Sequence, residues 1–154
     1  MIEKDLLLLS TLRANARESL TKISRSTAIP VSTIFDRLRL HEKSIIKKHT
    51  AIIDFTKLGF STRVTITMKA NKADRDELKR YLLGHHNVNS VFKINNGYDF
   101  QIEAIFRSLH NLEEFLEKLE ERFRLRSKQV YYIIDDIKRE AFLADPSYLD
   151  ILGS

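Results

Sequence analysis

Ser32, Thr33, Asp36, Arg37 and Arg39 crowd one short segment, and Lys43, Lys47, Lys48 and His49 follow it. Groups of these types suit hydrogen bonding rather than bond breaking. An Arg fork matches O6 and N7 of guanine, and Lys ammonium groups meet phosphates. Asp36 is expected to hold Arg37, Arg39 or Lys43 in place rather than to accept from a cytosine amino group. A second polar set, Asn96, Gly97, Tyr98 and Asp99, joins a turn signal to a phenol and a carboxylate. It suits a zwitterion, with Asp99 on the ammonium and turn N–H groups on the carboxylate. The alternative is that Asp99 caps its own turn and Tyr98 packs in an interface.

Catalytic chemistry has no comparable set. His85 and His86 are adjacent, so on a helix they point in different directions and form no metal clamp. His41, His49 and His110 are scattered, and there is no Cys. No nucleophile–base–orienter set and no phosphate-cradling Gly loop is present. No enzyme activity, metal or cofactor is expected.

The charge distribution supports a polyanion partner. Residues 1–60 hold eleven Lys and Arg against six Asp and Glu, and residues 61–154 hold fifteen against fifteen. The whole net charge of +5 therefore lies in the first part of the chain. A basic module joined to a balanced one reads as a double-stranded DNA-binding head on a second domain. With 43% apolar and 31% charged residues, the composition is that of a soluble globular protein. The longest apolar run near the start, 6–9, is far too short for a signal peptide or a membrane span. A cytoplasmic protein with no membrane partner is expected.

The head must position the first polar set. Leu6, Leu9 and Leu12 recur at helical spacing and predict a helix over 3–15. Ser19 suits the N-cap of a second helix, with Leu20 and Ile23 inward. Pro30 suits the first turn of a third. There Ile34 and Leu38 make an inward stripe with Phe35 at its edge. Ser32, Thr33, Asp36 and Arg39 lie opposite, with Arg37 on the flank. This is a helix-turn-helix, whose second helix enters a major groove. A straight third helix would put His41 on the stripe in place of Leu40, so the helix is expected to tighten or end near Arg39.

The second polar set belongs to a sheet. Val64, Ile66, Met68 and Ala70 alternate with polar residues as a half-buried strand. A helix over 74–83 follows, then strands over 88–94 and 98–106 joined at Asn95-Asn96-Gly97, a strong hairpin signal. Ser108 starts a second helix with the stripe Leu112, Phe115, Leu116, Leu119 and Phe123, and its Glu residues face solvent. A last strand is predicted over 128–137. The order βαββαβ gives a ferredoxin-like antiparallel sheet with both helices on one face. The last strand is apolar on both faces, Val130, Tyr132 and Ile134 against Tyr131 and Ile133. The uncovered face is therefore expected to bury against a second copy, as a homodimer. The fold class is α+β: an N-terminal (winged) helix-turn-helix domain plus a C-terminal ferredoxin-like βαββαβ domain. Their boundaries are 1–50 for the DNA-binding domain, 51–61 for a linker segment and 62–140 for the second domain. The tail 141–154, with Phe142, Tyr148, Leu149, Ile151 and Leu152, is too apolar to hang free.

The run from Ile23 through Phe60 resembles the Lrp/AsnC family of transcriptional regulators. It closes on Thr50-Ala51-Ile52-Ile53-Asp54-Phe55-Thr56-Lys57-Leu58-Gly59-Phe60, which matches the family's segment of TA, two aliphatics, D, three variable residues, LG and an aromatic. Two departures stand out: Ser44 replaces a Gly after the third helix, and the hairpin Gly sits one place late, at Gly97. The resemblance implies dimers and assemblies of dimers such as tetramers or octamers. It also implies a small effector, commonly an amino acid, near Asn96, Gly97, Tyr98 and Asp99. An architectural DNA binder with little sequence preference and no effector is the alternative within this family. An RNA-binding module shares the βαββαβ order, but Asp99 would stand where its third-strand motif needs a small residue.

Overall fold

The computed structural model describes residues 3–152. The chain forms two compact units: residues up to Ile52 together with those from Ile137 on, and Ile53–Asp136. No helix among the described residues is long and apolar enough to cross a membrane.

The first unit holds α1 (Glu3–Ala14), α2 (Leu20–Thr27) and α3 (Val31–Ser44). Ser19 caps α2 by accepting the Lys22 N–H at 3.2 Å, so the helix starts where a side-chain acceptor first satisfies a free backbone donor. Ala28 ends α2 in the left-handed region at φ 56°, and Pro30 is the N-cap of α3. Leu8, Ile23, Ile29 and Ile34 form the core, with Leu12 and Leu20 packed against it. The inward face of α1 is thus Asp5, Leu8, Leu9 and Leu12 rather than the expected Leu6, Leu9 and Leu12. A run of four Leu fits several helical registers, and Asp5 selects among them by its partners on α3.

Two expectations for this unit are corrected. The third helix does not end near Arg39 but continues to Ser44. His41 takes the inward position and is 4% exposed, whereas Leu40 is 59% exposed. The chain spends a polar ring on a core position because that ring has an acid to meet. Residues 46–54 pair in no strand, so the helix-turn-helix has no β wing.

The tail belongs to this first unit. Pro146–Tyr148 forms a 3-10 turn that packs on α1, followed by α6 (Leu149–Leu152). Arg13 fastens it: Nε donates to the Phe142 carbonyl at 3.0 Å, and Nη2 to the Glu140 carbonyl at 3.1 Å. Gly153 and Ser154 lie outside the described residues, as does the Leu152 side chain.

The second unit opens within the motif that carried the family resemblance. Asp54 accepts the Thr56 N–H and starts the 3-10 turn Phe55–Leu58. Gly59 closes it at φ 88°, a conformation that favours glycine. The Arg107 guanidinium lies 4.5 Å over the Phe60 ring.

Then follow β1 (Thr62–Ala70), α4 (Arg75–Gly84), β2 (Val88–Lys93), β3 (Phe100–Phe106), α5 (Leu109–Arg122) and β4 (Leu125–Tyr132). The sheet order is β2-β3-β1-β4, and its paired strands are antiparallel. Val64, Ile66 and Met68 of β1 lie beside Ala104, Ile102 and Phe100 of β3. One core encloses these residues with Leu78 and Leu82 of α4 and Leu112, Phe115, Leu116 and Leu119 of α5, so both helices cover the same face. The last strand is displaced from the expected 128–137. It pairs Val64 with Tyr132, so β1 is used up two residues later, and Asp136 turns back to the Arg63 guanidinium at 2.6 Å. On the uncovered face, Phe92 and Tyr131 are 53% and 54% exposed.

Candidate nucleic-acid interface and hairpin corner

Helix α3 sorts its residues by angle, at about 100° per residue. Ile34, Leu38 and His41 fall on one arc and turn inward, the first and last of them fully buried. Ser32, Phe35, Asp36, Arg39 and Lys43 fall on the opposite arc and are all exposed. Thr33 is half-buried at its margin, and Lys47 and Lys48 follow the helix and are exposed. The structure therefore brings Ser32, Asp36, Arg39 and Lys43 together on one ridge. His49, expected beside the phosphates, lies 3.1 Å from the Glu42 carboxylate.

Arg37 has a different position from its neighbours. Its Nη1 lies 2.7 Å from Asp5 Oδ1, and His41 Nε2 lies 2.9 Å from the same oxygen. Asp36 was expected to hold Arg37, Arg39 or Lys43; instead Asp5 of α1 holds Arg37, and no ion pair of Asp36 is found among the described residues. Burial acts to raise the Asp5 carboxyl, but hydrogen bonds from Arg37 and His41, with their charges, overcome this and hold it below its ordinary value. With the proton on Nε2, His41 donates to Asp5, and its buried Nδ1 has no partner. Asp5 was not singled out from the sequence, and His41 was named only as a scattered histidine and as the residue that a straight third helix would turn inward. The signal available was the i,i+4 pair Arg37 and His41 on α3 and an acid next to the leucine run of α1.

In the second unit, Asn96 and Gly97 take φ 61° and 83°. Two consecutive positive-φ residues make the turn that suits a tight hairpin. The Tyr98 N–H donates to Asn95 O at 3.4 Å and the Ile94 N–H to Asp99 O at 3.1 Å. Asn96 and Gly97 are exposed, whereas Tyr98 is half-buried. Asp99 reaches across to the end of β1. Its Oδ2 accepts the Ala70 N–H at 2.9 Å, and its Oδ1 lies 3.0 Å from Arg75 Nε. The carboxylate thus ties the hairpin to β1 and to the start of α4, and both oxygens have partners within the chain. An ammonium arriving here must share Asp99 with Arg75, whose side chain is 43% exposed.

The second unit has recognisable relatives. Residues 62–141 match the model of the Lrp/AsnC ligand binding domain. An uncharacterized HTH-type transcriptional regulator of Pyrococcus furiosus is 33% identical over 121 residues, which is 76% of this chain and 78% of that one. A transcriptional regulator of Neisseria meningitidis, solved in complex with L-Met, has the same fold. It gives a TM-score of 0.81 at 19% identity, over 90% of this chain and 93% of that one. LrpC of B. subtilis gives 0.80 at 22% identity, over 90% and 97%. With a helix-turn-helix in its first unit and the family's ligand binding domain in its second, the chain belongs to the Lrp/AsnC family of DNA-binding transcriptional regulators.

Proposed function

We propose that this regulator works in the cytoplasm as a homodimer on a palindromic duplex operator. The outward ridge of α3 enters the major groove: Ser32, Asp36 and Arg39 face base edges, and Lys43, Lys47 and Lys48 meet flanking phosphates. Arg37 works at the flank, where its link to Asp5 sets the pitch of α3 against α1. The observation that carries this reading is the angular separation on α3. Its inward arc is fixed by Ile34 and His41, so its exposed polar arc has one orientation. Two heads related by a two-fold axis read half-sites about one helical turn apart. The exposed rings of Phe92 and Tyr131 favour pairing of two copies through the uncovered sheet face.

The effector in this reading is an amino acid at the corner formed by Asn96, Gly97, Tyr98 and Asp99. The exposed turn offers N–H groups to its carboxylate, and Asp99 takes its ammonium with Arg75 displaced outward. The L-Met complex of the Neisseria relative supports this choice of ligand class.

The test is selection of bound sequences from random duplex fragments by the full-length protein, with and without each of the twenty amino acids. A palindromic motif whose affinity responds to one amino acid is expected. A motif without any response removes the effector. Tight, salt-sensitive binding without a motif replaces the reading with an architectural DNA binder.

A further inference from the structure

Phe35 is the one large aromatic on the exposed ridge of α3, with 48% of its surface open to solvent. It sits one turn before Arg39 and beside Asp36, within the arc that carries the polar candidates. An isolated exposed apolar side chain is ordinary on a protein surface. This one has a cationic neighbour one turn on. The Arg39 guanidinium lies 5.7 Å over the ring centroid, a cation–π contact between the two exposed side chains.

We propose that Phe35 and Arg39 form a two-part base reader. The Phe35 ring packs on the C5-methyl of a thymine, and the stacked Arg39 guanidinium donates to O6 and N7 of an adjacent guanine. The major groove presents that methyl group only at thymine, and apolar side chains are what recognise it. A base step containing both features therefore appears in each half-site. The inference rests on the major-groove reading of α3 and adds a residue whose chemistry is apolar rather than hydrogen bonding.

The experiment uses the full-length protein and the motif selected from random duplexes. Each thymine in turn is replaced by deoxyuridine, which removes the methyl group and nothing else. One position per half-site is expected to weaken binding about fourfold, the fold-change that corresponds to one buried methyl at ~0.8 kcal/mol. Phe35→Ala is expected to bind the motif more weakly, to be indifferent to deoxyuridine at that position and to keep its affinity for unrelated duplex. Phe35→Leu, which restores an apolar contact, is expected to recover part of the methyl sensitivity. Arg39→Ala is expected to lose discrimination at the neighbouring guanine. Wild type indifferent to deoxyuridine at every position overturns the proposal, as does Phe35→Ala retaining full methyl sensitivity. Failure of the major-groove reading looks different: no motif emerges, or the motif survives loss of Arg39 and Lys43 unchanged. Either result overturns this proposal as well.

Discussion

Asp5 Oδ1 stands 2.7 Å from Arg37 Nη1, which links the first helix of the head to the third. The contact spans the core of Leu8, Ile23, Ile29 and Ile34 and fixes the helix that carries the polar ridge. Asp5→Ala is expected to destabilise the head by about 1–3 kcal/mol, because the half-buried Arg37 guanidinium and the buried His41 ring lose their acceptor. Arg37→Ala should cost a similar amount. In urea unfolding the double variant should lose clearly less than the sum of the singles. Additive losses would show that the two side chains act independently.

The same carboxylate gives the head an acid-sensitive component. Asp5 is held below its ordinary value of 3.8, so the folded protein binds this proton less readily than the unfolded chain. The stabilisation is complete above 3.8 and is lost as the pH falls through the lower, folded value. The stability gap between wild type and Asp5→Asn should therefore be wide at neutral pH and close below 3.8. A gap of constant width across that range would contradict the assignment.

His85 introduces a second pH dependence, in the second unit. Burial lowers its affinity for a proton below the ordinary 6.5, and the charges of His86 and Lys118 act in the same direction. Its ring stacks on His86 at 4.7 Å and meets Phe115 edge-on at 4.8 Å. The unfolded chain takes up the proton first as pH falls, so stability should decrease below 6.5. His85→Asn should remove that part of the slope in thermal melts recorded between neutral and mildly acid pH.

Asp99 serves two partners of unequal value. The Ala70 N–H needs an acceptor, whereas Arg75 is 43% exposed and its ion pair is screened by water. Asp99→Ala should cost about 1–3 kcal/mol of stability. Asp99→Asn keeps an acceptor for Ala70 and should recover most of that loss. Equal losses in urea unfolding would assign the effect to the ion pair instead.

Lys47→Ala and Lys48→Ala should weaken binding to every duplex sequence alike. Each should flatten the dependence of log affinity on log salt by about 0.9, the contribution of one phosphate contact. A loss confined to one sequence would make the residue a base reader.

Local signals were legible in the sequence, and distant ones were not. Ser19 and Ser108 cap α2 and α5 as expected, because a cap needs only the next turn of its own helix. Asn96 and Gly97 set the hairpin for the same reason. The end of α3 was misread because a polar residue at an inward position looks like a break. Only the spatial neighbour Asp5 shows why His41 belongs there. The end of β4 depends on where β1 begins, which periodicity within β4 does not encode. The outward placement of Ser32, Asp36 and Arg39 on α3 was legible because it follows from helical periodicity alone. Phe35 was assigned to the edge of the core by its hydrophobicity, yet it stands half in solvent.

Arg13 holds Glu140 and Phe142, which lie 127 and 129 residues downstream. The head is therefore a discontinuous unit with the ligand-binding unit inserted into it. During synthesis its helices leave the ribosome first, but its last contacts form only after the rest of the chain has emerged. A product terminated before Glu140 carries a head without this clasp.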